Sequence, residues 1–274
     1  MQNILRIIEA AIDEDLGPGD ITTDNLISPD ASGKGTIIAK EAVVVAGLDI
    51  ARQVFTYLDP GVRVSSTFKD GDSVADRETI LVVEGSLQAI LRGERTALNF
   101  LQRLSGIATH VHSYVKELKN KTVRLTDTRK TTPGLRVLEK YAVRIGGAYN
   151  HRMALYDAVL IKDNHIAACG GITPAVERIR SRISHLTKIE VEVSDLIQVK
   201  EALAAKADVI MLDNMDLEQI KAAVKLINKK ALVEVSGSVK KESLNALADT
   251  GVDIISAGAL IHSARFVDLS MRIE

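Results

Sequence analysis

The chain has 274 residues, and its 46% hydrophobic and 26% charged content is typical of a globular protein with a full core rather than of a disordered or fibrous one. A formal net charge of −1 argues against a nucleic-acid partner held by bulk electrostatics, and a single cysteine, Cys169, excludes an internal disulfide. Charged residues occupy the place where a signal peptide would be apolar, and no apolar run reaches the roughly 20 residues of a membrane span, so we expect a cytoplasmic protein without membrane attachment.

The first part of the chain predicts a small antiparallel sheet followed by a long helix. Runs of β-branched residues alternate with Gly and Asp turns over 33–47 and 62–91, a pattern typical of short strands joined by tight turns. From residue 93 the apolar residues change to helical spacing. We therefore place a long helix at the exit from this first module.

Six short apolar segments follow, and each of them ends in a polar or charged residue. They lie at 122–127, 158–163, 188–194, 208–213, 231–236 and 252–256. Helix-length stretches separate most of them, with Thr173, Asp195 and Asp216 as expected N-caps. This alternation indicates a parallel sheet buried on both faces. Because no GxGxxG or Walker sequence is present, a closed or nearly closed α/β barrel is favoured over an open nucleotide-binding sheet.

The carboxyl ends of barrel strands are where an active site is expected, since the loops converge there. The residues at these ends are a group of cations, two carboxylates and two serines: 127–130, Lys162, Glu192, Asp213, Ser236 and Ser256. After the last two strands, the glycine-containing loops 236–238 and 256–259 can direct backbone N–H groups at a phosphate.

Positive charge is concentrated near this predicted rim. Residues 129–165 contain seven Lys and Arg against three Asp and Glu, a net +4 within a chain whose total is −1. The excess favours a polyanionic ligand and catalysis by positioning and charge stabilisation. Glu192 and Asp213 then fit ribose hydroxyls or Mg²⁺ on a pyrophosphate, and salt bridges to neighbouring lysines are the alternative role for the pair.

Four motifs resemble those of the quinolinate phosphoribosyltransferase family, and the resemblance covers essentially the whole chain. They are ERTALNFLQRLSGIAT at 94–109, DTRKTTPGLR at 127–136, KYAVRIGGAYNHR at 140–152 and LIKDNHI at 160–166. The resemblance implies an α/β protein with an N-terminal open-faced α/β sandwich, 1–107, and a C-terminal incomplete α/β barrel of about six parallel strands, 108–274. It also implies that the last helix packs back on the N-terminal domain.

The implied activity is that of a pentosyltransferase of NAD biosynthesis. It transfers the phosphoribosyl group of 5-phosphoribosyl 1-pyrophosphate to quinolinate with decarboxylation, giving nicotinate mononucleotide, pyrophosphate and CO₂. The resemblance places the two substrates on residues of all four motifs and of the later strand ends: Arg95, Thr128, Arg129, Lys130, His151, Arg152, Lys162, His165, Glu192, Asp213, Ser236, Gly237, Ser238, Ser256, Ala257 and Gly258.

Within this set, the resemblance gives the quinolinate carboxylates to Arg129, His151 and Arg152, together with Arg95. Arg95 is the residue lent across the interface of a homodimer, or of a hexamer that is a trimer of dimers. Ala148 stands where members of the family often have a third glycine, and this departure concerns the backbone of the loop before His151.

The catalytic set implied by the resemblance combines two lysines with the two acids. Lys130 and Lys162 span both substrates, while Glu192 and Asp213 hold ribose hydroxyls and the Mg²⁺-bound pyrophosphate, so that their contact with the metal is indirect, through substrate or water. Loops 236–238 and 256–258 bind the 5′-phosphate.

Other functions compete with this one. A related protein of a molybdenum locus and a nicotinate-using phosphoribosyltransferase share the fold, and a non-catalytic sensor of a phosphorylated metabolite would need only the glycine loops. Arg129 and Arg152 favour a dicarboxylate substrate, and the intact Lys130, Lys162 and acids argue against a sensor.

Overall fold

The computed structural model describes residues 2–274, with side chains from residue 4 onward. The chain divides into two compact units. The first consists of the described residues up to His112 together with Thr131–Gly147 and Ser263–Glu274, and the second of Ser113–Lys130 and Ala148–His262. Each unit is therefore discontinuous in sequence, while the single boundary between 107 and 108 stays a prediction.

Helices and strands follow one another along the whole of the described chain, and they alternate most regularly from β8 onward. The first nine are α1 (Gln2–Leu16), α2 (Ile21–Leu26), β1 (Ser32–Ala39), β2 (Val43–Val44), α3 (Leu48–Leu58), β3 (Arg63–Ser65), β4 (Ser73–Val74), β5 (Thr79–Ser86) and α4 (Leu87–Glu117). They are followed by β6 (Arg124–Thr126), α5 (Arg136–Ile145), β7 (Val159–Ile161), α6 (Asp163–Cys169), α7 (Ile172–Arg180), β8 (Ile189–Val193), α8 (Leu196–Ala204), β9 (Val209–Asp213), α9 (Leu217–Ile227), β10 (Leu232–Ser236), a 3₁₀ turn (Lys241–Ser243), α10 (Leu244–Ala248), β11 (Ile254–Ser256), α11 (Ala259–His262) and β12 (Leu269–Ile273).

The first unit contains a four-stranded antiparallel sheet in the order β12-β1-β5-β3. Ile37 of β1 and Leu81 of β5 pair directly and are fully buried. The apolar residues at helical spacing in α4, among them Leu101 and Ile107, are fully buried too, as expected of an amphipathic helix. The small antiparallel sheet and the long helix are thus confirmed, with the helix beginning six residues before the predicted point.

The last element of the chain is a strand, and the expectation of a final helix is wrong. β12 pairs antiparallel with β1, from Gly35↔Ile273 to Ala39↔Leu269. Val267, Leu269, Met271 and Ile273 alternate with polar residues, which is the two-residue period of a strand with one buried face.

The second unit contains six parallel strands in the order β6-β11-β10-β9-β8-β7. Each strand lies inside one of the six predicted apolar segments, and Asp213 and Ser236 end β9 and β10. β6 and β7 form the two edges of the ladder, so the barrel is incomplete, as predicted. Helices α7 to α10 pack on strands β8, β10 and β11 and cover them.

Two of the three expected helix caps are confirmed. Asp195 accepts hydrogen bonds from the first turn of α8, and Asp216 does so for α9. Thr173 is not a cap, because α7 begins one residue earlier, at Ile172. The Thr173 N–H instead donates to Oε1 of Glu201 at 2.9 Å, so a side chain from α8 satisfies this orphan donor. Within residues 2–274, none of the helices combines the length and the apolar character that a bilayer crossing requires.

Candidate active site

A cavity of about 800 Å³ opens at the carboxyl ends of the parallel strands, and its lining belongs entirely to the second unit. It is lined by Thr128, Arg129, Lys130, His151, Arg152, Leu160, Lys162, Glu192, Met211, Asp213, Asn214, Ser236, Gly237, Ser238, Val239, Lys240, Ser256, Ala257, Gly258, Ala259 and His262. Every predicted substrate residue except Arg95 and His165 is among them. Arg95 lies on α4 in the first unit.

Strand alternation explains why these side chains meet. Successive residues of a strand face opposite sides, so residues two apart share a face. Glu192 follows Glu190 on the inner face of β8, and Asp213 follows Met211 on that of β9. The parallel register sets Ser236 beside Asp213. In β8, β9, β10 and β11 the last cavity-lining residue is polar: Glu192, Asp213, Ser236 and Ser256.

Lys162 and Glu192 form an ion pair at this rim, in which Lys162 Nζ donates to Glu192 Oε2. The lysine side chain is 43% exposed and the carboxylate 16% exposed, so the pair borders solvent and contributes little to stability. The alternative role foreseen for the acids, a salt bridge to a neighbouring lysine, is thus present for Glu192. A charged ligand that enters the cavity can break this ion pair and bind one of its two members.

His165 lies one turn beyond Lys162 and does not line the large cavity. Its Nδ1 accepts the backbone N–H of Lys162 at 3.0 Å, which caps the start of α6. The ring borders a second, smaller cavity of about 450 Å³ beside α6 and α7. A role of His165 in substrate binding stays a prediction.

The two glycine loops are shaped by close contacts that a side chain would prevent. Gly237 has φ 99°, and a Cβ there would lie 2.3 Å from Oδ1 of Asn214. At Gly258 a Cβ would lie 2.9 Å from Cδ of Lys130. Both loops therefore bring bare backbone to the cavity wall, as phosphate-binding loops do.

Several lining residues escaped sequence reasoning although the signal for two of them was available. Leu160 and Met211 precede Lys162 and Asp213 by two positions on the same strand face, so the two-residue period could have found them. Asn214 donates from Nδ2 to Oδ2 of Asp213 at 2.9 Å and thereby orients that carboxylate. A loop position such as this one carries no periodic signal.

Arg129 and Arg152 meet at one part of the cavity. Burial lowers the pKa of Arg152, and the charge of Arg129 lowers it further. The guanidinium of Arg152 is held by a hydrogen bond from Nη1 to the carbonyl oxygen of Ala158 at 3.0 Å. Two cations that repel each other in a partly buried site are suited to a ligand with more than one negative charge.

The segment that precedes Arg152 is anchored by a buried acid. Asp127 is fully buried; its Oδ1 accepts the backbone N–H of His151 at 2.9 Å, and its Oδ2 accepts Nδ2 of Asn150 at 2.6 Å. Asp127 was expected among the strand-end residues of the rim, but it supports the 150–152 segment from behind and does not line the cavity.

The His151 ring is enclosed by polar groups of the protein. Its Nε2 lies 3.2 Å from Glu190 Oε2 and 3.4 Å from Glu234 Oε1. Its Nδ1 accepts the backbone N–H of Arg152 at 2.8 Å. Glu190 and Glu234 are buried on β8 and β10, where an unpaired carboxylate would be costly.

Protonation stabilises this His151–Glu190–Glu234 cluster. Burial by itself would lower the pKa of His151, but the contacts of its Nε2 with the two carboxylates, and their negative charges, raise it. Burial, with the charge of Glu234, raises the pKa of Glu190. Because His151 Nδ1 accepts the Arg152 N–H, the ring carries its single proton on Nε2, and the proton that the cluster gains at neutral pH is on Glu190. The cluster then has a net charge of −1 instead of −2.

Two groups of side chains offer candidate ligands for a metal. Glu192 and Asp213 present carboxylate oxygens at the rim, and oxygen is the ligand that Mg²⁺ prefers, usually with water and phosphate completing the shell. Because Glu192 is paired with Lys162 and Asp213 with Asn214, these acids fit a metal held through water or a phosphate better than one bound directly. Among the described residues, the ligand atoms of His151, Glu190 and Glu234 also lie within 4.8 Å of one another.

Comparison with known proteins matches both halves of the chain. Models for the quinolinate phosphoribosyl transferase N-terminal domain and C-terminal domain match residues 20–105 and 107–272. A probable nicotinate-nucleotide pyrophosphorylase [carboxylating] of Bacillus subtilis is 45% identical over 260 residues, which cover 95% of this chain and 90% of that protein. One from Synechocystis is 46% identical over 263 residues, covering 95% and 89%.

Solved structures agree with these relatives. The crystal structure of NadC from Streptococcus pyogenes is 42% identical, with a TM-score of 0.94, and the match covers 98% of this chain and 95% of that one. The nicotinate-nucleotide pyrophosphorylase from Francisella tularensis is 40% identical, with a TM-score of 0.94 and coverage of 100% and 96%.

Proposed function

This chain belongs to the quinolinate phosphoribosyltransferase family, and we propose that the cavity at its strand ends is where the family's reaction takes place. The chain is a pentosyltransferase that joins the phosphoribosyl group of 5-phosphoribosyl 1-pyrophosphate to quinolinate and releases pyrophosphate and CO₂, giving nicotinate mononucleotide for NAD biosynthesis. The observation that carries the placement is the gathering of five Lys and Arg side chains, two acids and two glycine loops around one cavity.

Arg129 and Arg152 bind the two carboxylates of quinolinate in this proposal. A planar guanidinium matches a carboxylate through two parallel hydrogen bonds. Burial lowers the pKa of Arg152, and the charge of Arg129 lowers it further. The repulsion between the two cations is relieved when a dianion lies between them. His151 and Thr128 complete this end of the cavity.

The glycine loops 236–238 and 256–258 bind the 5′-phosphate of the other substrate. Gly237 and Gly258 bring backbone close to the cavity, and backbone N–H groups are effective phosphate ligands. Lys130, whose side chain lies against Gly258, is placed between the two ends and can reach a phosphate as a point charge.

The chemistry proceeds through charge stabilisation. Pyrophosphate leaves C1 of the ribose with the bonding electron pair, and Glu192 and Asp213 stabilise the positive charge that develops on the ring. Mg²⁺ held by the pyrophosphate, and through it or through water by these two acids, would offset the negative charge of the leaving group. Lys162, released from Glu192, adds a further cation there.

The pyridine nitrogen then forms the new bond to C1. As CO₂ departs, the electron pair of the C–CO₂ bond stays on the ring carbon, where the adjacent positively charged nitrogen stabilises it, and that carbon then takes a proton from solvent. Arg129 and Arg152 hold the ring in place throughout, so the chain needs no covalent intermediate.

We propose that the active chain is a homodimer, or a hexamer built as a trimer of dimers, in which Arg95 acts in the partner's site. Supporting this, Arg95 lies in the ERTALN motif on α4 and is absent from the residues that line the cavity of its own chain. A cytoplasmic location is proposed as well, on the basis of the single cysteine.

A coupled assay with phosphoribosyl pyrophosphate and either quinolinate or nicotinate tests the function. We expect turnover of quinolinate with release of CO₂ and pyrophosphate. Preference for nicotinate would support the nicotinate-using alternative, and binding of a phosphorylated ligand with no turnover would support a sensor.

A further inference from the structure

Two buried glutamates beneath the cavity have no part in the chemistry described above. Glu190 is 8% exposed and Glu234 is 2% exposed. They precede Glu192 and Ser236 by two positions, so they face the barrel interior one step below the rim. Both carboxylates approach the same atom, Nε2 of His151.

The contacts of His151 fix which ring nitrogen carries the proton. Nδ1 accepts the backbone N–H of Arg152 at 2.8 Å, so the lone pair of the imidazole lies on Nδ1. The proton is then on Nε2, where Glu190 and Glu234 can accept it. With both nitrogens engaged inside the protein, His151 would have to break one of these contacts to bind a substrate carboxylate directly.

We propose that Glu190 and Glu234 are positioning residues for the quinolinate end of the cavity, and that they act through His151 on Arg152. They hold the imidazole in the orientation in which Nδ1 fixes the backbone N–H of Arg152. The guanidinium of Arg152, held at its other end by Ala158, is thereby directed at the substrate carboxylate. This inference rests on the proposed function, which assigns that carboxylate to Arg152.

The same three side chains could be taken for a metal site, but their hydrogen bonds argue otherwise. A histidine that binds a metal through Nε2 needs its lone pair there, and its Nδ1 then usually donates to a carbonyl or carboxylate. Here Nδ1 accepts a hydrogen bond. The ring is therefore in the tautomer whose Nε2–H faces the two glutamates, with Glu190 Oε2 at 3.2 Å and Glu234 Oε1 at 3.4 Å.

The test compares four variants, Glu190→Ala, Glu190→Gln, Glu234→Ala and Glu234→Gln, in steady-state kinetics with each substrate varied in turn. In the Ala variants we expect KM for quinolinate to rise by about tenfold or more, while KM for phosphoribosyl pyrophosphate changes by less than about twofold. The Gln variants should recover most of the loss, because an amide oxygen still accepts the Nε2 proton.

A matched control removes a carboxylate from the amino end of the same sheet. Asp208 accepts the backbone N–H of Ile189 at 2.8 Å, before β8 and β9 reach the cavity. Asp208→Asn should leave both KM values and kcat as in the wild type. Far-ultraviolet circular dichroism and the unfolding midpoint of each variant identify any that fail to fold, and the near-isosteric Gln variants keep the comparison available in that case.

Three results would overturn the inference. They are an equal rise of KM for both substrates, Gln variants no better than Ala variants, and stoichiometric metal in the purified wild-type protein that is lost in Glu190→Gln. Wild-type turnover of quinolinate is measured in the same assay. It distinguishes a wrong role of the two glutamates from a wrong proposed function. If the wild type turns over quinolinate and the variants show no quinolinate-specific defect, only the role of the glutamates is wrong.

Discussion

Exchanging quinolinate for nicotinate removes one of the two carboxylates that Arg129 and Arg152 are proposed to bind. Arg152 cannot simply turn to solvent, because its Nη1 is held by the Ala158 carbonyl oxygen at 3.0 Å. Leaving one partner of a buried charge pair alone costs about 2–5 kcal/mol, and each 1.36 kcal/mol is a factor of ten in rate. We therefore expect kcat/KM for nicotinate to be lower by about 30-fold to about 5,000-fold.

The variant Arg152→Gln tests whether this residue is the source of the discrimination. Its kcat/KM for quinolinate should fall toward that for nicotinate, so that the ratio between the two acids collapses. Arg182→Gln, an exposed change after α7, serves as the control and should leave the ratio intact. Product nucleotide is quantified by chromatography with either acid at saturating phosphoribosyl pyrophosphate. An unaltered ratio in Arg152→Gln would refute the assignment of a carboxylate to Arg152.

Four further predictions concern catalysis, assembly and stability. Lys162→Ala should lower kcat by about 100-fold or more if the lysine stabilises charge in the transition state, and wild-type turnover would contradict that role. Arg95→Ala and Lys162→Ala subunits, unfolded and refolded together, should regain roughly a quarter of wild-type activity, since about half of randomly paired dimers are mixed and each mixed dimer has one intact site; an inert mixture that contains mixed dimers would refute the shared site. Glu139→Ala should lower the free energy of unfolding by about 3–5 kcal/mol in urea titrations, because it leaves Arg103 without its buried partner at 2.6 Å, whereas the exposed Glu177→Ala should change it by less than about 0.5 kcal/mol. Tyr141→Phe should lower the free energy of unfolding by about 1–2 kcal/mol at pH 7, because the Tyr141 hydroxyl donates to Asp70 at 2.5 Å. Burial, with the hydrogen bond to Asp70 and its charge, raises the pKa of Tyr141. The stabilisation is therefore complete below about pH 10, and the difference in unfolding free energy between wild type and variant should narrow as the pH rises further.

The parts of the fold that depend on local signals were predictable. The six parallel strands are short apolar runs, and Asp195 and Asp216 cap helices through their own first turns. The predicted Thr173 cap was wrong because α7 begins one residue earlier, at Ile172, and the N–H of Thr173 itself is bound by Glu201, a residue of another helix. The prediction for the last element of the chain was wrong for a different reason. Its two-residue alternation was present in the sequence, but its partner β1 lies more than 200 residues earlier, and the resemblance suggested a helix.

The rim of the cavity was predictable because polar residues stand at the carboxyl ends of the strands, as Glu192, Asp213 and Ser236 do for β8, β9 and β10. The buried acids one step below the rim were not predicted, although they follow the same two-residue period. Glu190 and Glu234 share a strand face with Glu192 and Ser236, so the two-residue period places them inside the barrel. A carboxylate in that position is intelligible only with a partner, and the partner, His151, comes from a loop whose path no strand pattern reveals. The sequence therefore indicates that two acids are buried, while the reason that burial is tolerated appears only when Nε2 of His151 is found between them.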